Sequence, residues 1–159
     1  MTYNQQLITN FYTAFGNNDI QKMAECYHEN IQFQDPAFGI LNEKEPITMW
    51  KMLLERTKGN IKIDFFDVEA NENSGSATWV ATYVFSKTNR RVVNKIKAEF
   101  EFQDGLIIKH TDTFDIYKWA KQALGFKGFL LGWTSFMKNK IQEGAKKSLE
   151  IYIKSQSKV

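Results

Sequence analysis

An imidazole and a carboxylate stand two residues apart, His110 and Asp112, in the tract Leu106–Ile116, LIIKHTDTFDI. Successive residues of a strand point to opposite faces. Leu106, Ile108, His110, Asp112 and Phe114 are therefore expected to share one face, and Ile107, Lys109, Thr111, Thr113 and Asp115 the other. Two positions along a strand span about 7 Å. On a face that lines a cavity, Asp112 becomes a candidate acid/base group and His110 its partner. A carboxylate among apolar side chains suits removal of a proton next to a carbonyl. In the plainer reading, Asp112 is a structural carboxylate at the end of a sheet. Asp35 is the third candidate catalytic residue. It precedes Pro36, which biases it towards extended geometry, and it serves either as a second polar group in the pocket or as an acceptor for turn amides. Asp115, on the opposite face, reads as a surface or helix-cap residue.

The aromatic residues that could bind a flat apolar ligand are Tyr12, Phe15, Trp50, Trp79, Tyr83, Phe100 and Phe114. Such side chains are core by default, and some would line a pocket. Other chemistries find little footing. Two His far apart, His28 and His110, and a single Cys26 offer no metal-ligand spacing. No glycine-rich phosphate loop and no Ser or Cys nucleophile motif occurs. No cofactor is expected, and nucleic acid is not an expected partner. His28 is expected in an exposed helix-to-strand turn.

The chain of 159 residues suits one domain with a real core, at 43% hydrophobic content and 13 Phe. A lone cysteine excludes an internal disulfide and fits a reducing, cytoplasmic setting. The start MTYNQQLITNFY lacks the basic and apolar regions of a signal peptide, and no apolar run is long enough to span a membrane. Residues 118–159 hold nine Lys and two Glu, while residues 1–117 are net acidic. That basic segment is expected to be a solvated helix face, with surface contact to an anionic partner as the alternative.

In chain order, Thr2 and Gln5 suggest a capping box. Leu7, Ile8, Phe11 and Phe15 follow at helical spacing, and Gly16-Asn-Asn ends that helix. Asp19 caps a second helix, expected to bury Ile20, Met23, Ala24 and Tyr27. Ile31–Asp35 reads as a strand and Phe38-Gly39 as a turn. Pro46 opens a third helix with Ile47, Trp50 and Leu54 inward. From Ile61 the period becomes two. Strands are expected around Ile61–Phe65, Ala77–Phe85 and Val92–Gln103, with turns at Asn73-Ser-Gly-Ser, Thr88-Asn-Arg-Arg and Asp104-Gly105. Residues 118–159 read as one bent helix, its stripe running from Phe126, Phe129, Leu130 and Trp133 to Met137, Ile141, Ala145, Leu149 and Tyr152. Gly125, Gly128 and Gly132 make its start irregular. Helices before a run of strands imply an α+β fold.

Two stretches carry a family resemblance. Phe15-Gly-Asn-Asn-Asp19-Ile through Tyr27-His-Glu-Asn-Ile-Gln-Phe-Gln-Asp35-Pro36 resembles the helix–turn–Asp entry and Asp-Pro strand end of the nuclear transport factor 2-like superfamily. Asp104-Gly-Leu-Ile-Ile-Lys-His110-Thr-Asp112-Thr-Phe-Asp115 is similar to the final-strand pattern of its SnoaL-like branch. The resemblance implies a cone-shaped curved antiparallel sheet packed by N-terminal helices, cystatin-like, over residues 1–117. Residues 118–159 are a C-terminal helical extension of the same domain. The resemblance also implies a homodimer through the sheet and an apolar small-molecule ligand. In ketosteroid isomerases of this superfamily the Asp-Pro aspartate is the base, which matches Asp35. Their oxyanion-hole Tyr falls at Phe11, with Tyr12 adjacent, and their protonated Asp falls at Ala98, so efficient steroid isomerisation is not expected. SnoaL-like cyclases pair a late-sheet Asp with a His, and Asp112 and His110 keep that pair. The expected function is a small-ligand pocket, with cofactor-free acid/base activity of isomerase, cyclase or hydratase type. A non-catalytic ligand-binding or interaction domain is the alternative. The tail is expected to be a lid or dimer-packing helix, or else a membrane-surface helix.

Overall fold

A computed structural model describes residues 1–131 and 134–158. Gly132 and Trp133 of the tail stripe lie outside the described residues. The chain opens with helix α1 (Tyr3–Gly16) and the short α2 (Ile20–Glu25). The Thr2–Gln5 capping box forms, and Asp19 caps α2 through the Lys22 amide. Strands β1 (Tyr27–Asp35) and β2 (Gly39–Asn42) follow, then α3 (Glu45–Arg56). Strands β3 (Lys62–Ala70), β4 (Ser74–Phe85), β5 (Arg90–Gln103) and β6 (Leu106–Thr113) complete one sheet of order β2-β1-β6-β5-β4-β3.

The fold is α+β as expected, with corrections of detail. The sheet is mixed: β1 runs parallel to β6, and every other pair is antiparallel. A parallel neighbour that far along the chain leaves no local turn signal. Strand β2 was also not foreseen. Tyr27 opens β1 instead of closing α2, and Ala24 is exposed. Asn71 Oδ1 accepts from the Asn73 and Ser74 amides, which puts the β3–β4 turn before Ser74. The Asp104–Gly105 turn forms as expected, with φ of 53° and 75°. Such positive angles at both central residues suit a two-residue hairpin.

Strand β6 ends at Thr113, three residues short of the expected end, and Asp115 caps the next helix. The register slips between Glu101 and Phe102, so that Lys109 pairs with Glu101 and Ile107 with Phe102. This bulge makes Ile108 the extra residue. Ile107, at 0% exposure, therefore takes the inward place expected of Ile108, while His110 and Asp112 keep theirs.

The tail is three helices, not one: α4 (Ile116–Leu124), α5 (Phe126–Leu131) and α6 (Ser135–Gln156). Gly125, at φ 64°, turns the chain back. A Cβ on Gly128 would strike the Ala120 carbonyl, so only glycine lets α5 lie this close to α4. The small residue faces inward, and the aromatics expected to be buried face out: Phe126 and Phe129 are 73% and 59% exposed. Helix α6 crosses back over α3. Leu149 is buried, and Tyr152 Oη donates to Glu55 at 2.7 Å.

Candidate acid–base pocket

The inner face of the sheet holds a polar chain inside an aromatic core. Trp50, from α3, donates its indole N–H to Tyr27 Oη at 3.0 Å. Tyr27 Oη lies 2.7 Å from His110 Nδ1, and His110 Nε2 lies 2.9 Å from Asp112 Oδ1. Trp79, from β4, donates to the same oxygen at 3.3 Å. Indole is only a donor. A carboxylate at Asp112 takes the Nε2–H of a neutral imidazole and leaves Nδ1 to accept from Tyr27, so that the chain runs from Trp50 to Tyr27 to His110 to Asp112. Burial pushes Tyr27 well above the usual tyrosine value, which keeps its O–H as a donor. Phe11, Phe33 and Phe100 surround the imidazole, with centroids 5.5, 5.1 and 4.6 Å from it. No described residue hydrogen-bonds Asp112 Oδ2.

Asp35 joins Asp112 through the parallel pairing. Gln34 pairs with Thr111, so Asp35 and Asp112 sit one step further on adjacent strands, about 5 Å apart at the backbone. Asp35 Oδ1 accepts from the amides of Ala37 and Phe38 at 2.9 and 2.6 Å. Both roles considered for Asp35 therefore coexist, the turn acceptor and the pocket carboxylate. Burial, helped by the Asp112 charge and opposed by those two amides, raises its carboxyl to about 7.

Both carboxylates line one cavity of about 370 Å³, closed on one side by α6. That size is ordinary for a small-ligand pocket. Of the expected aromatics, Phe15, Trp50, Trp79, Tyr83 and Phe114 line it. His110 stands behind Asp112 at 0% exposure. Tyr12 and Phe100 lie in the core and not on the cavity wall. Tyr12 is wedged against Phe65 and Trp79 beneath α1, and Phe100 packs across the strand pair onto His110. Tyr12 Oη is the one fully buried side-chain polar atom without a partner among the described residues. Ala98 pairs opposite Asp112, so no carboxylate stands there. His28 is not in an exposed turn: it lies in β1, with side-chain exposure of 11% and Nε2 3.4 Å from Asp104. It is not among the residues that line the cavity.

Three contributors were missed. Tyr27 links Trp50 to His110, and was hidden by a spacing that also fits a helix. Asn94 lines the cavity with an amide that no described residue hydrogen-bonds. The signal was there, since a polar residue breaks the inward run Val92, Ile96, Ala98. Trp119 donates to Tyr83 Oη at 2.8 Å and closes the wall from α4. Burial raises the Cys26 thiol to about 11, so it is a poor nucleophile. Among the described residues no cluster of three or more His, Cys, Asp or Glu could hold a metal ion.

Asp35 makes the stability of the fold depend on pH. The folded state holds this proton more tightly than the unfolded chain. Its stabilising contribution is full below about pH 4, where both states are protonated, and is lost as pH rises through about 7. The unfolding free energy is expected to decline between these limits, by at most about 1.4 kcal/mol per pH unit. Asp35→Asn should remove that component, because an amide does not titrate, while its Oδ1 still accepts both turn amides. Urea midpoints of the two proteins against pH would show it, and parallel curves would refute it.

A curved-sheet pocket protein with two inward carboxylates is thus the class that fold and site define. The chain belongs to the SnoaL-like domain family, within the nuclear transport factor 2-like superfamily, the family match running over residues 8–110. Asp112 and the tail lie beyond that match. Among solved structures, Bal32a from a soil-derived mobile gene cassette is 22% identical, with a TM-score of 0.66 over 74% of this chain and 93% of that one. A candidate polyketide cyclase from Xanthomonas campestris pv. campestris is 18% identical, with a TM-score of 0.61 over 76% and 96%. An LEH-like epoxide hydrolase from M. tuberculosis is 19% identical, with a TM-score of 0.60 over 82% and 91%. At these identities the likeness is one of fold. No curated protein matches the chain.

Proposed function

We propose that this protein binds an apolar small molecule bearing a carbonyl or ring and catalyses cofactor-free proton transfer on it, of isomerase, cyclase or hydratase type. The observation that carries the reading is the matched pair of carboxylates. Each has Oδ1 tied to the scaffold, and neither has a described partner at Oδ2. Asp112 Oδ2 removes a proton from carbon next to the carbonyl. Asp35, protonated below about pH 7, donates its proton to the carbonyl oxygen, so that an enol forms with charge balanced. Return of the protons at another carbon, or attack of the enol within the ligand, completes an isomerisation or a cyclisation. His110 is a positioning residue: it fixes Asp112 and touches no ligand. Fold alone hosts many activities, and the site is what supports this one. A homodimer through the sheet accompanies the proposal, as the resemblance implies.

The ligand half of the reading has its own test at Gly144. This residue lines the cavity from α6, and a Cβ there meets no atom within 4 Å. Gly144→Ala is expected to raise stability by about 0.5–1 kcal/mol through helix propensity. Gly144→Phe should keep the fold but occupy the cavity, and lower affinity for an apolar carbonyl probe about tenfold or more. Fluorescence titration of Trp50 and Trp79 quenching reads it. Unchanged affinity in the folded Phe variant would place the ligand elsewhere.

A further inference from the structure

The α4–α5 hairpin exposes what a protein of this size usually hides. Phe126, Phe129 and Leu131 stand 73%, 59% and 45% exposed on α5, and Phe136 stands 66% exposed in the first turn of α6. Scattered apolar residues on a surface are ordinary, but a cluster of large ones marks a contact. The charge along this stretch of chain is basic. Between Ile116 and Gln142 the sequence has five lysines, Lys118, Lys121, Lys127, Lys138 and Lys140, and no acidic residue. None of them makes an ion pair among the described residues. The tip is tightly held to α4: Gly128 packs against the Ala120 carbonyl and Tyr117 Oη donates to the Phe129 carbonyl at 3.1 Å.

A second copy fits this surface poorly. A two-fold interface brings the same patch against itself, and here the lysines of one copy would face those of the other. Aromatic side chains in a frame of lysine suit the boundary of an anionic bilayer, where rings enter the headgroup layer and lysines are drawn to the negative surface. Among the described residues no helix is long and apolar enough to cross a membrane, so the contact is superficial. The tip is continuous with the pocket. Leu124, Met137 and Lys140 line the cavity, and the exposed cations Arg56 and Lys87 join Lys140 on its lining.

We infer that the α4–α5 hairpin and the start of α6 form an interfacial anchor that docks the protein on anionic lipid and turns the cavity mouth towards the bilayer. The apolar ligand then enters from the membrane surface. Docking does not depend on the acid–base reading, since it is measured without a substrate. The full chain is sedimented with vesicles of phosphatidylcholine alone, and with vesicles of equal parts phosphatidylcholine and phosphatidylglycerol. Binding to the mixed vesicles is expected, weak or absent binding to the neutral ones, and release as added salt screens the lysines. The double variant Phe126→Ser, Phe129→Ser should lose about tenfold or more in partitioning with an unchanged thermal midpoint, both rings being exposed in the folded state. Lys127→Gln with Lys138→Gln should weaken binding and flatten its salt dependence. No binding to the mixed vesicles, or equal binding by the Phe double variant, overturns the proposal. Self-association of the free protein in sedimentation velocity, abolished by the same double variant, would overturn it too and assign the patch to a second copy.

Discussion

Replacing Asp112 by Asn is expected to lower turnover about 10²–10⁴-fold, the usual worth of a positioned acid or base, with ligand affinity changed only a few-fold. The substitution is conservative where the scaffold is concerned. Asn Oδ1 still accepts from His110 Nε2 and the Trp79 indole, which lie 2.9 and 3.3 Å from the native oxygen. What disappears is the basic Oδ2. A second effect goes with it. Asp112 is one cause of the raised Asp35 carboxyl, about 7 in the native protein. Without that charge Asp35 should titrate lower, and any residual activity should lose its acid-form dependence at lower pH than in the native protein. The measurement is a pH–rate profile on the first apolar carbonyl compound found to bind. A full rate in Asp112→Asn, with binding intact, would sink the catalytic proposal and leave a ligand-binding domain.

The largest effect on stability is expected from Phe11→Ala. Phe11 is 0% exposed. Its ring sits 5.0 Å from Tyr27, 5.3 Å from Tyr12, 5.5 Å from His110 and 6.3 Å from Trp50. Rings from α1, β1, β6 and α3 meet there, so none can move in without leaving a void of its own. Truncation at such a site costs about 3–5 kcal/mol. The same change at Phe126, 73% exposed, should stay within about 0.5 kcal/mol. Urea denaturation distinguishes them: a lower midpoint at unchanged slope for Phe11→Ala, and none for Phe126→Ala. A loss below about 1 kcal/mol at Phe11 would mean that the core relaxes far more easily than its packing implies.

What was legible in the sequence was local. The Thr2–Gln5 box, the Asp104–Gly105 turn, the Pro46 helix start and the inward His110–Asp112 pair depend on residues within a few positions of one another. The single-residue slip at Ile108 was not, because a bulge is decided by both strands. Tyr27 fitted the helical spacing of Met23 and Ala24 equally well, and only its contacts with Trp50 and His110 decide for the strand. The mixed sheet escaped because β1 and β6 carry no shared signal. The tail failed for a different reason. Burial was expected of every aromatic at helical spacing, yet Gly128 takes the inward place in α5 and leaves Phe126 and Phe129 outside. The identity of Asp112 and Asp35 as candidates could be read. Their adjacency could not.

That adjacency has a kinetic consequence. Tyr27 and His110 are 83 residues apart in the chain, and the β1–β6 seam that joins them also sets Asp35 beside Asp112. Hairpins such as β4–β5 close short loops and cost little entropy to begin, whereas this seam must wait until both ends of the domain are in place. A nascent chain can therefore present most of its sheet while holding no paired carboxylates and no enclosed cavity. On the proposed function, the paired carboxylates exist only once that seam has closed.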